Sequence, residues 1–186
     1  MSAPDYAAAC AAIDRANAED PKGYEVLYGQ RMVDWVRKLA PQATEELLLA
    51  VRAQHLRRWT VPRSTYPEGR VGYLKWREGL KHFHADQLAE IMKASGYGEE
   101  SIAKTRSLIL RKNQSADAEG QTLEDAACLV FLQYEFAEFS AKTEPDKMVD
   151  ILRKSWGKMS PAARDQALKL KLGAAELELV KKALEK

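Results

Sequence analysis

The sequence predicts an all-α fold, and three observations predict it. Apolar residues recur at helical spacing through most of the 186 residues. Strand alternation is nearly absent, and no Asn-Gly or Asp-Gly hairpin signal occurs. Prolines and glycines fall mostly between the periodic stretches, where they act as stops. A single multi-helix domain of about nine helices is therefore expected over residues 1–186. Composition agrees with this: 46% apolar, 30% charged and a net charge of +2 are ordinary for a globular chain. They exclude collagen, a disulfide scaffold and a mostly disordered chain. No run of about 18 apolar residues exists, so no membrane span is expected. The first residues lack a basic stretch and carry Asp5 and Asp14, so no signal peptide is expected. Cys10 and Cys128 are then read as reduced thiols of a cytoplasmic protein.

The elements follow in order. Ser2 and Pro4 suit a helix start, and an Ala-rich helix to about residue 18 follows. Asp20-Pro21-Lys22-Gly23 reads as a turn. A second helix over about 24–39 carries Leu27, Tyr28, Met32, Trp35, Val36 and Leu39 at helical spacing. Pro41 ends it. Thr44 caps a third helix, with Glu45 and Glu46 at its positive end, expected to run to about Trp59. Residues 60–70 hold two prolines and a glycine, so a long loop is expected. A long helix over about 71–95 then stops near Gly96. A fifth helix covers about 99–112, and 113–121 reads as a polar loop. The sixth, about 122–141, is apolar on most sides and marks the centre of the fold. Pro145 opens a seventh to Trp156, Ser160-Pro161 an eighth, and residues 174–184 form a ninth.

The charge is uneven. Residues 1–51 carry a net −3, residues 52–82 a net +6, and residues 83–186 a net −1. The basic stretch follows His55 and leads into His84. Val51 and Leu48 place His55 on an apolar stripe; Leu80, Leu88 and Ile91 do the same for His84. His82 shares its face with Glu78 and Asp86 and is expected at the surface. Asp125 sits on the apolar sixth helix beside Cys128, Leu129 and Leu132, where a carboxylate needs a partner. His55, His84 and Asp125 are thus three inward polar groups on three helices. Converging, they would bind zinc, iron or manganese, or form a proton-transfer site. Unconverged, each is a hydrogen-bonded core residue. Arg52, Arg58, Arg63 and Arg77 offer forked donors to a phosphate or carboxylate, and Trp59 a face on which a ring stacks. A solvated basic face is the plainer alternative. The phosphate-loop, dinucleotide, serine-hydrolase and zinc-protease signatures are absent.

Two resemblances rest on particular residues. Leu-Tyr-Gly-Gln-Arg-Met at 27–32, Arg-Ala-Gln-His-Leu-Arg-Arg-Trp at 52–59, Pro-Arg-Ser-Thr-Tyr-Pro at 62–67 and Thr-Leu-Glu-Asp-Ala-Ala-Cys-Leu-Val-Phe-Leu at 122–132 resemble domain-of-unknown-function family 4202. That family implies no activity. More distantly, His55, His84 and Asp125 resemble metal positions of the HD-domain phosphohydrolases, which are all-helical. Two ligands depart from that pattern: Tyr28 and Arg31 stand near the place of the first His, and Leu56 replaces the Asp of the His-Asp pair. The resemblance implies an HD-like hydrolase of a phosphorylated small molecule or nucleotide. The alternative is a non-catalytic HD-like module that binds an anionic ligand, a partner protein or RNA. The first expects a divalent metal on His55, His84 and Asp125. Both expect the anion on Arg52, Arg58, Arg63 and Arg77, beside Trp59.

Overall fold

Asp5 accepts the Ala8 N–H at 2.9 Å and so starts helix α1 (Tyr6–Asn17), three residues beyond the expected start at Ser2. An acceptor at this position satisfies one of the orphan N–H groups of the first turn. The computed structural model describes residues 3–111 and 117–185. Ser2 itself and residues 113–116 of the expected polar loop lie outside them. All regular structure among the described residues is helical, and it divides into two compact units, Met1–Gly120 and Gln121–Lys186. No described helix is long and apolar enough to cross a membrane.

The first unit contains α1, α2 (Glu25–Leu39), α3 (Glu45–Arg52), α4 (Gly69–Ala94) and α5 (Glu99–Leu110). Helix α5 packs on both α3 and α4, and α2 packs on α3. Met32, Val36, Leu47, Leu49, Leu56, Leu88 and Met92 fill the core. Asp20 fastens the entry to α2, accepting backbone N–H groups from Lys22, Tyr24 and Glu25. Burial works against that carboxylate, but these donors outweigh it and hold its pKa below the ordinary value. Thr44 caps α3 as expected, accepting the Leu47 N–H. Gly29 lets α3 approach α2 closely: a Cβ there would sit 2.7 Å from the Arg52 carbonyl oxygen.

One boundary of this unit lies well away from the expected one. Helix α3 ends at Arg52, seven residues before Trp59. The chain leaves it through tight turns and reaches Arg57 with φ +52°, in the left-handed region. That conformation is costly for a residue with a Cβ and stops a right-handed helix. Neither glycine nor proline marks the place. Short 3-10 turns then occupy Arg58–Thr60, where the third helix was expected to end, and Arg63–Thr65, inside the expected loop. At the far end, α4 stops where expected. Gly96 (φ +83°) donates to Lys93, and Tyr97 donates to Met92, the paired bonds of a glycine-terminated helix.

In the second unit, the expected sixth helix appears as three consecutive stretches. They are α6 (Ala118–Val130, which opens at the end of the first unit), a π-helical turn (Phe131–Glu135) and α7 (Phe136–Ala141). Helices α8 (Pro145–Lys158), α9 (Pro161–Ala167) and α10 (Ala174–Leu184) complete it. Helix α10 packs on α8 and α7. Proline stands at the first position of α8 and of α9, where its missing N–H has no helical partner to lose.

Candidate functional site

The turn after α3 and the first turn of α2 meet at His55. Its Nδ1 lies 3.0 Å from Glu25 Oε2, and its Nε2 lies 2.6 Å from a terminal nitrogen of Arg58. A guanidinium only donates. His55 Nε2 therefore accepts from Arg58, and Nδ1 carries the proton and donates to Glu25. The imidazole is fixed from both sides in one tautomer. Tyr28 stacks on its face, with ring centres 3.8 Å apart and planes 9° from parallel. The His55 side chain is 18% exposed. Burial first, then the positive charges of Arg58 and Arg111, hold its pKa well below 6.5. Burial also pushes the Glu25 carboxyl up to about 7; Arg58 draws it down and Asp20 works with burial.

His84 lies on α4 and is 4% exposed. Its Nδ1 donates to the Leu56 carbonyl at 2.8 Å, which leaves the lone pair on Nε2. Burial, then His55, takes its pKa down to about 3, with the Leu56 carbonyl working the other way. His55 and His84 thus come together in the first unit as two neutral imidazoles, His84 being bonded to the carbonyl of the residue that follows His55.

Arg58 extends the chain of contacts. Its guanidinium lies 5.0 Å from the Trp76 ring centre, and the Trp76 indole donates to the Val61 carbonyl. Apart from its His55 contact, that guanidinium makes no hydrogen bond or ion pair among the described residues. It is an oriented cation with donors to spare. The turn that aims it is held by Asn17, which is buried and accepts the Arg57 N–H at 3.0 Å.

The remaining expected residues are placed differently. Arg52 is held by Asp14 through Nε at 2.8 Å and a terminal nitrogen at 2.5 Å, so its fork closes an ion pair between α3 and α1. Arg63 donates to the carbonyls of Tyr66, Pro67 and Gly69 and ties its own loop together. Trp59 is half-buried in the first 3-10 turn. Arg77 is exposed on α4, 5.7 Å from the Tyr73 ring centre. His82 is exposed and lies 3.6 Å from Glu78.

Asp125 belongs to the second unit and is 4% exposed. It accepts the Ser160 N–H at 2.8 Å, the Ser160 hydroxyl at 2.5 Å and the Gln121 amide at 2.9 Å. Ser160 in turn caps α9 by accepting the Ala163 N–H. The carboxylate has found the partner that its apolar helix demanded.

Among the described residues, no group of three or more His, Cys, Asp and Glu side chains is arranged to hold a metal ion. The donor chemistry agrees. Both His55 nitrogens are engaged, a cation at Nε2 would face a guanidinium, and the Asp125 oxygens accept three bonds. His84 Nε2 is the lone pair that remains. The residues as placed do not fit a metal centre.

Glu25 and Asn17 were not visible as site residues in the sequence. Glu25 did carry a signal: it stands in the helical row of Tyr28, Met32 and Val36 and is 8% exposed, while Leu27, read as apolar core, is 42% exposed. Asn17 carried none.

The family described as a domain of unknown function (DUF4202) matches residues 7–180. No curated protein and no solved structure matches the chain.

Proposed function

The chain belongs to that DUF4202 family, and from that premise we propose that its first unit is a non-catalytic, HD-like module that binds the phosphate or carboxylate of a small molecule at Arg58. One observation carries this reading. The Arg58 guanidinium is aimed by His55 Nε2, lies against Trp76 and keeps donors that no described side chain takes. Holding a cation in place before the ligand arrives lowers the ordering cost of binding, and a fork matches two oxygens of one anion. The net +6 of residues 52–82 adds attraction at longer range.

The test is a melting-temperature and calorimetric titration with inorganic phosphate, pyrophosphate and a nucleotide. Phosphate-bearing ligands are expected to stabilise the protein. Arg58→Ala is expected to abolish that effect, whereas Arg77→Ala, on an exposed face, leaves most of it. Equal responses of wild type and Arg58→Ala would overturn the reading.

A second reading, hydrolysis of the bound phosphate ester, draws on the Glu25–His55 pair. A carboxylate that fixes an imidazole with its proton on Nδ1 leaves Nε2 to take a proton. Here Nε2 is covered by Arg58, so hydrolysis needs Arg58 to turn onto the anion and uncover it. Turnover of a phosphate ester that is lost in both Glu25→Gln and His55→Gln would favour hydrolysis over binding.

A further inference from the structure

The second unit holds a cavity of about 30 Å³. Leu132, Leu152, Trp156, Ala167, Leu172 and Val180 supply much of its wall. Ser155 is the one aliphatic hydroxyl in the lining, and its Oγ makes no hydrogen bond among the described residues. The space is that of roughly two or three water-sized spheres, at ~10–15 Å³ each, enough for the end of an alkyl chain. An apolar cavity of this kind favours an apolar occupant over water. It opens to the surface beside Leu168 and Leu184, which are 63% and 37% exposed.

The connection between α9 and α10 decides what kind of apolar occupant fits. It reads Leu168-Lys169-Leu170-Lys171-Leu172-Gly173. Leu168 and Leu172 line the cavity, while Lys169 and Lys171 between them are exposed. Neither lysine forms an ion pair or side-chain hydrogen bond among the described residues, whereas Lys142, Lys158 and Lys181 of this unit pair with Glu138, Glu124 and Glu178. Two unpaired cations therefore sit within a residue of the cavity wall. Their alkyl stems extend the apolar surface while the ammonium groups stay in water.

We propose that the second unit binds an aliphatic carboxylate of the fatty-acid class, with the end of its chain in the cavity and its carboxylate on Lys169 and Lys171. Neither half of the site suffices alone. The cavity offers nothing to an anion, and two solvated lysines give a short-tailed carboxylate little affinity. The site is independent of Arg58 and does not rest on the reading given for the first unit.

The experiment titrates the full chain with octanoate, octanol and acetate, reading heat and melting temperature. Octanoate is expected to bind more tightly than either of the others. Lys169→Glu with Lys171→Glu, both at exposed positions, should weaken octanoate by at least about tenfold and leave octanol unchanged. Ala183→Leu, which fills the cavity, should weaken both; its fold is checked by circular dichroism, and if it is lost the charge variant decides. Arg58→Ala should leave octanoate binding intact, which separates this site from the anion site of the first unit. Absence of octanoate binding, or binding that the charge reversal leaves unchanged, would overturn the proposal. So would concentration-dependent self-association abolished by Leu168→Lys, which would assign the leucines to a second copy of the chain.

Discussion

His55 is neutral because of what surrounds it, and the causes can be separated by substitution. Burial is the larger and Arg58 the smaller. Removing the guanidinium in Arg58→Ala should therefore raise the His55 pKa, yet leave it below 6.5. Nitrogen chemical shifts of the ring read this directly, and in the wild type they should show the proton on Nδ1. A His55 that titrates at 6.5 or above in the variant would mean that Arg58, rather than burial, keeps the ring neutral. Asp125 gives a second expectation at this scale. Asp125→Ala removes three hydrogen bonds from a buried site and strips the support from the Ser160 cap. The cost should be about 3 kcal/mol, measured by urea unfolding in the presence of a chelator. An unchanged midpoint there would show that the carboxylate has no structural role in the metal-free protein.

At the scale of elements, two glycines should respond in opposite directions to the same change. A Cβ on Gly72 in α4 would come within 1.9 Å of the Pro67 carbonyl oxygen, whereas one on Gly157 in α8 meets nothing within 4 Å. Gly72→Ala should destabilise by about 1–3 kcal/mol. Gly157→Ala should stabilise by about 0.5 kcal/mol, because alanine loses less backbone freedom in a helix. Thermal melts of the two variants check the pair. Elements of this kind were legible in the sequence wherever a capping residue or breaker announced them: Thr44, Gly96, Pro145 and Ser160 all stand where the structure ends or begins a helix. The end of α3 was not legible. Arg57 is held left-handed by Asn17, forty residues earlier, and no local pattern encodes a bond of that reach. The site lay in the same blind spot. Periodicity pointed His55 and His84 inward, but their partners, Glu25 and the Leu56 carbonyl, are fixed by the packing of α2, α3 and α4. Composition counted Arg52 and Arg63 as free cations because it cannot see Asp14 or a loop carbonyl.

The whole molecule should show the buried ionisable groups in its acid sensitivity. His55 and His84 stay neutral in the folded state below the 6.5 at which they charge when unfolded. The unfolded chain then binds more protons, so stability falls as pH drops below 6.5. Glu25 acts in the opposite sense. Its folded pKa of about 7 exceeds its ordinary 4.5, so the folded state holds the extra proton between those values. Between pH 4.5 and 6.5 two imidazoles oppose one carboxyl, so stability falls as the pH drops. Glu25→Gln removes the opposing group and should steepen that slope, as read from urea midpoints at several pH values. A slope that stays the same would show that Glu25 does not hold its proton in the folded protein.

The distribution of tryptophan has a consequence for observing the molecule. Trp35, Trp59 and Trp76 all belong to the first unit, and Trp156, on the wall of the apolar cavity, is the one indole of residues 121–186. With the other three replaced by phenylalanine, the fluorescence of the chain reports on the second unit alone. Its unfolding curve, laid over one recorded by circular dichroism, would tell whether the two units melt as one cooperative body or each at its own temperature.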